Sequence, residues 1–159
     1  MIDIEIDDPV WTEALPEIEK IVRHAALIAL EAEEAGHGDV AFRLTNDAGV
    51  QALNRDFLGK DAPTNVLSFP TPPNPRNHLG DVALAFGVCA REASEQGKPL
   101  ANHVSHLVVH GVLHLLGYDH IVDDDAEVME DLERTLLAEM RIPDPYVAGE
   151  GEHERPRPL

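Results

Sequence analysis

Five of the nine histidines in this 159-residue chain lie between His103 and His120: His103, His106, His110, His114 and His120. The first four fall on the stretch Leu100 to Leu116, which is otherwise almost wholly apolar and reads as a helix closed by Gly117. An α-helix turns about 100° per residue, so these four histidines share an arc of about 80°. His110 and His114 are four residues apart, a spacing that lets both imidazoles reach one ion at about 2.0–2.1 Å. Gly117 permits a left-handed backbone, and the chain can then double back through Tyr118 and Asp119 to bring His120 to the same point. Three neutral imidazoles leave one position open to water, which marks a catalytic rather than a structural zinc site. Zinc there lowers the pKa of water to near 7. One Zn2+ per chain is expected, although three histidines also suit nickel, cobalt or copper. A lone pair of histidines four apart is a frequent coincidence. The helix-ending glycine and the third histidine make the pattern specific, and a greasy helix with four histidines on one face is expensive to bury without partners. His103 and His106 either line the cleft or are hydrogen-bonded core residues. His24, His37, His78 and His153 read as ordinary surface or core histidines.

The rest of the chain organises around that helix as one domain over 1–142, with a Pro-, Gly- and charge-rich tail over 143–159 expected to be mobile. Ile2, Ile4 and Ile6 alternate with acids, a half-buried strand. Leu15, Ile18, Val22, Ala25 and Ala29 have helical spacing, so one helix is expected over about 12–35, stopped by Gly36. Val40 to Leu44 reads as a strand. Asn46 or Asp47 caps a helix that ends at Gly59. Strands follow at 66–69 and 79–86, joined by the proline-rich stretch 70–77, and then a short helix over 88–96. A last helix over about 123–140, capped by Asp123 or Asp124, carries Val128, Leu132, Leu136 and Met140 as its apolar stripe. Strands and helices interleave without strict alternation. The fold class is therefore α+β: a mixed four-stranded sheet covered by about five helices.

Composition narrows the function. Apolar residues make up 43% of the chain, enough for a real core. The single cysteine, Cys89, can form neither an internal disulfide nor a multi-cysteine metal cage, which favours a reducing compartment. The start is acidic and alternating rather than basic then apolar, and the longest apolar run, Ala25 to Leu30, is too short for a membrane span. A cytoplasmic protein with no membrane partner is expected. The net charge of −18 argues against a general nucleic-acid binder. The charge is unevenly spread, however: residues 41–100 hold six acidic and six basic residues, while both ends are acidic. RNA, if bound, would meet Arg43, Arg55, Lys60, Arg76, Arg91 and Lys98.

The spacing His110, His114, Gly117, His120 matches the long metzincin protease motif, making peptide hydrolysis the first rival. Those enzymes place a glutamate general base after the first histidine. Here that position is Gly111, which has no side chain to activate water.

The segment from His110 through Gly117 to His120 instead resembles the signature of the YbeY-type endoribonucleases, bacterial rRNA maturation factors. So do Leu53-Asn54, the run Gly59-Lys60-Asp61-Ala62-Pro63-Thr64-Asn65-Val66-Leu67-Ser68-Phe69-Pro70, the stretch Leu79-Gly80-Asp81-Val82, and the pattern Ala126, Met129, Glu133. Together they cover roughly residues 40–140. The resemblance implies a zincin-like fold and zinc on His110, His114 and His120. It implies a hydrolase, an endonuclease cutting single-stranded RNA rather than DNA, in maturation of the 3′ end of small-subunit ribosomal RNA and ribosome quality control. It implies the small ribosomal subunit and its assembly factors as partners. Arg55 and Lys60 are then candidates for gripping phosphate, and Asn65 and Ser68 for bonding sugar or base edges. Asn65 and Ser68 also read as plain turn and strand chemistry. Asp81 is a candidate to orient a metal-bound histidine, or a loop carboxylate at a strand start. Beyond the metal ligands no catalytic residue is assigned. One departure stands out: the family's usual arginine before Gly-Lys-Asp is here Leu58, which cannot steady negative charge. A non-catalytic, zinc-pinned ribosome assembly factor is the alternative that Leu58 supports.

Overall fold

The computed structural model describes residues 1–32, 38–118 and 123–146, the side chains of 123–125 excepted. Its elements are β1 (Ile2–Ile6), α1 (Val10–Ala14), α2 (Ile18–Glu31), β2 (Asp39–Thr45), α3 (Asp47–Leu58), β3 (Val66–Pro70), β4 (His78–Ala85), α4 (Phe86–Gln96), α5 (Leu100–Leu115) and α6 (Asp123–Glu139). The sheet is mixed and four-stranded in the order β1-β2-β4-β3. β1 pairs parallel with β2 and β2 with β4, while the edge strand β3 runs antiparallel to β4. The α+β class and the four strands are as expected.

The described residues hold six helices where about five were expected, because the segment read as one helix divides. Leu15 adopts φ −134° and ψ 88°. The ring of Pro16 disfavours a helical conformation in the residue before it, so α1 closes at Ala14 and α2 opens afresh at Ile18. Trp11, on α1, is fully buried. Its indole N–H donates to the Thr45 carbonyl at 2.8 Å, and its ring meets Phe86 edge-on at 5.1 Å. The short helix is thereby pinned across the ends of β2 and β4. Gly36, the expected stop of α2, lies outside the described residues.

Strand alternation assigns the two faces. Ile2, Val40, Phe42, Leu44, Val66, Val82 and Leu84 point to the main core with α2 and α5. Leu67, Ala83 and Ala85 point the other way and pack with Val50 of α3. Asn46 caps α3 by accepting the Gly49 N–H at 2.8 Å, and Gly59 closes it with φ +74°.

α5 runs through the middle of the main core. From His103 to Leu113 every residue is buried, so it is a core helix with no solvent face over that length. It can lie this close to the sheet because of Gly111. A Cβ there would stand 3.0 Å from Val82 Cγ1 and 3.2 Å from Ser68 Oγ. Its C-terminus forms a Schellman motif: Gly117 has φ +105°, its N–H bonds the His114 carbonyl, and the Tyr118 N–H reaches back to the Leu113 carbonyl, both at 3.1 Å.

α6 is where the expected register fails. The stripe Val128, Leu132, Leu136, Met140 advances four residues at a time, and each step drifts about 40° around a helix of about 100° per residue. The buried side is instead Ala126, Met129, Glu130, Glu133, Leu136 and Leu137, with Val128 exposed. Leu132 and Met140 pack at its margin. Residues 143–146, the start of the expected tail, lie against the body: Arg134 Nε bonds Asp144 Oδ1 at 3.1 Å and Lys98 Nζ bonds the Pro145 carbonyl at 3.0 Å. The remainder of that tail falls outside the described residues.

Two outcomes follow. Trp11→Ala should lower unfolding free energy by about 3–5 kcal/mol, read from urea titration followed by circular dichroism, since it empties a large buried site. Gly111→Glu should leave insoluble or molten protein, because a carboxylate would be forced between α5 and the sheet, and Gly111→Ala should be the milder lesion in the same melt.

Candidate metal centre

The four histidines of α5 form a graded series. His103, His106 and His110 are each 3% exposed, while His114, the last residue but one of α5, is partly open to solvent. The stripe therefore starts inside the protein and surfaces at the Schellman turn. His120 lies outside the described residues, and among those described there is no cluster of three metal-holding side chains. His110 and His114 are the described part of the expected donor set.

Each buried histidine is answered by an acid from a neighbouring helix. His103 Nε2 lies 2.9 Å from Glu92 Oε1, on α4. His106 Nε2 lies 2.8 Å from Glu133 Oε1, and His110 Nδ1 lies 2.9 Å from Glu133 Oε2, on α6. The Tyr146 hydroxyl also donates to Glu133 Oε1. Glu133 is fully buried. Burial alone would push its carboxyl up, but the hydrogen bonds from His106 and His110 outweigh this and hold it at about 2. Burial in turn pushes the His106 imidazole below its usual range despite the pull of Glu133. Glu133 is thus held as an ionised carboxylate, with a neutral His106 beside it. Burial also raises the Tyr146 phenol, keeping it a proton donor. At the other end, burial favours protonating Glu92, and hydrogen bonds from His103 and Asn65 overcome it, leaving its pKa lowered.

This arrangement suits a metal. An ionised carboxylate only accepts, so His110 must carry its proton on Nδ1, and Nε2 is the nitrogen that would ligate an ion. The two histidines left undecided by sequence are therefore hydrogen-bonded core residues, each with a buried Nδ1 lacking a hydrogen-bond partner among the described residues. Glu92, Glu133 and Tyr146 were not singled out as site residues. Glu133 left a trace in the sequence: it occupies a core position of α6 between Met129 and Leu136, where an acid is out of place.

The expected substrate-binding residues separate into two pairs. Asn65 and Ser68 bond groups within the chain, Asn65 towards α4 and Ser68 towards α5. Asn65 is buried, accepts the Val66 N–H at 2.7 Å and donates to Glu92 at 3.0 Å. Ser68 Oγ donates to the Gly111 carbonyl at 3.3 Å. Arg55 is exposed near the C-terminal end of α3 and paired to Asp56 at 3.1 Å, and Lys60 is exposed just beyond that helix. Leu58 is 53% exposed beside them. Asp81 does not orient a metal-bound histidine: it is exposed and faces His78, its Oδ1 3.3 Å from Nε2. The carboxylate that bonds His110 is Glu133.

Most of the basic residues expected to meet RNA are already engaged. Besides Arg55, Arg43 pairs with Asp7, Arg91 with Asp47 at 3.1 Å, and Lys98 with Pro145. Lys60 and Arg76 are exposed. Cys89 is buried, and burial pushes its thiol well up, so it is an inert core residue. No helix among the described residues is long and apolar enough to cross a membrane.

Comparison with known proteins bears on the fold and the family. The chain superimposes on the solution structure of a Thermotoga maritima protein with a TM-score of 0.55 at 22% identity, over 96% of this chain and all of that one, a likeness of fold. In sequence it is 54% identical to the endoribonuclease YbeY of Paramagnetospirillum magneticum, over 91% of this chain and 94% of that protein. It is 49% identical to that of Rhizorhabdus wittichii, over 87% and 86%, and 43% identical to that of Maricaulis maris, over 91% of each. The model of the family described as endoribonuclease YbeY matches residues 5–141, and this chain belongs to that family.

Proposed function

We propose that this chain is a metal-dependent endoribonuclease that cuts single-stranded RNA, acting in the cytoplasm on the 3′ end of small-subunit ribosomal RNA and in ribosome quality control, with the small subunit and its assembly factors as partners. The observation that carries the reading is the placement of His110 and His114 at the open end of an otherwise buried helix, with His110 oriented by an ionised carboxylate. His110, His114 and His120 would hold one divalent ion, zinc by its preference for imidazole. When bound, the ion supplies Lewis-acid polarisation of the scissile phosphodiester. The chain's own residues do the rest. The buried side of α5 excludes water from behind the site, and Glu133 holds the His110 proton on Nδ1. Lys60, exposed on the loop after α3, is the candidate phosphate anchor, since Arg55 is engaged by Asp56.

Peptide hydrolysis loses its remaining support. The position that carries the general base in metzincins faces the sheet here, against Val82 and Ser68. A side chain added there would be directed away from solvent.

Cleavage of a short single-stranded RNA by the zinc-loaded protein tests the reading. His114→Ala, with melts confirming its fold, should cut at least about 100-fold more slowly, and a chelator should abolish cleavage by the wild type. Equal cutting by both would betray a contaminating nuclease. Cutting by neither would favour the non-catalytic assembly factor. Leu58→Arg provides a second check. The position is exposed, so the fold should be unaffected, and the restored guanidinium should raise kcat about 10-fold or more. An unchanged rate would show that this end of α3 does not contact the reacting phosphate.

A further inference from the structure

The cost of Glu133 points beyond its charge. A fully buried carboxylate is expensive, and an apolar residue of similar size would fill the same place in α6 more cheaply. Its fully buried neighbours on that side, Ala126, Met129 and Leu137, are apolar, and Glu130 lies at the margin. Three donors converge on its two oxygens. Oε1 accepts from His106 Nε2 and the Tyr146 hydroxyl, leaving Oε2 to His110 Nδ1. Tyr146 is itself held from outside: its N–H bonds Asp144 Oδ1 at 2.8 Å, Asp144 is gripped by Arg134, and the Arg134 guanidinium lies 5.2 Å over the Tyr146 ring. The carboxylate is thus fixed on one oxygen by two donors, of which His106 also meets the His110 ring edge-on at 6.4 Å. The second oxygen faces His110.

We infer that Glu133 is a positioning residue: clamped on one side by His106 and Tyr146, it fixes the tautomer and ring orientation of His110 so that Nε2 is presented to the metal. The inference rests on the metal reading above. An orienting acceptor behind a metal-bound imidazole typically sets affinity by about 10–100-fold. Glutamine cannot replace the carboxylate fully. It keeps one acceptor oxygen but turns the other into an N–H donor, which opposes either the His106 or the His110 proton. His106 and Tyr146 act a step further out: losing either loosens the carboxylate without removing it.

The test compares wild type, Glu133→Gln, Tyr146→Phe and His114→Ala, each first shown to be folded by melting. Two readouts are taken: zinc affinity by competition with a chromophoric chelator, and the protonated nitrogen of His110 in the metal-free protein by long-range proton–nitrogen spectra. The wild type should show His110 protonated on Nδ1. Glu133→Gln should give a mixture of tautomers and bind zinc about 10–100-fold more weakly, with Tyr146→Phe a few-fold weaker than wild type. If Glu133→Gln keeps wild-type affinity and tautomer while His114→Ala releases the metal, the inference fails and the metal site stands. If Glu133→Gln does not fold, Tyr146→Phe decides, and unchanged affinity and tautomer there overturn the inference. Failure of the wild type itself to bind zinc would remove the metal reading and this inference together.

Discussion

A helix enclosed on all sides can carry histidines only if the protein interior answers their nitrogens. That constraint shapes the structure around α5. Each unpaired buried polar group costs on the order of 1–3 kcal/mol, so three buried histidines would consume much of a small domain's stability. Two acids from two other helices meet the need: Glu92 reaches His103, and Glu133 reaches His106 and His110 at once. The helices that flank α5 are therefore fixed in rotation as well as in position. α6 must turn Glu133 inward, which is why its buried side departs from its most obvious leucine spacing.

The sheet side imposes the complementary constraint. Gly111 lets the backbone of α5 sit against Val82 and Ser68, and the Ser68 hydroxyl closes the contact by bonding the Gly111 carbonyl. His110 then faces α6 while its neighbour faces the sheet, about 100° around the helix. A single residue type at position 111 thus serves packing and also removes the carboxylate that a protease would need. Burial falls off only at His114, so the reactive end of the helix is set by where the Schellman turn lets the chain leave the core.

Much of this was legible in the sequence. The isoleucine alternation of β1, the stops at Gly59 and Gly117 and the histidine stripe all depend on local periodicity or on backbone conformations only glycine adopts readily. The split at Leu15 was also local, but the helical spacing of the apolar residues across it masked the effect of Pro16. What sequence could not supply was pairing across distance. Arg91 and Asp47 are 44 residues apart, His106 and Glu133 27 apart, and nothing in either local pattern ties them. Asn65 and Ser68 illustrate the same limit. Their polarity marked them as candidates for substrate, yet their partners prove to be Glu92 and a helix carbonyl.

Those long-range pairs also bear on how an acidic protein could act on RNA. Affinity for a polyanion grows with the number of cations able to displace its counterions. Arg43, Arg55, Arg91 and Lys98 are each spent on a partner within the chain, within a net charge of −18. Long-range attraction would then be weak or repulsive, and free RNA would rarely dwell at the histidines. On the proposed reading, selectivity follows from this poverty of charge. A nuclease that holds RNA only weakly by its backbone cuts efficiently only where another surface presents the strand.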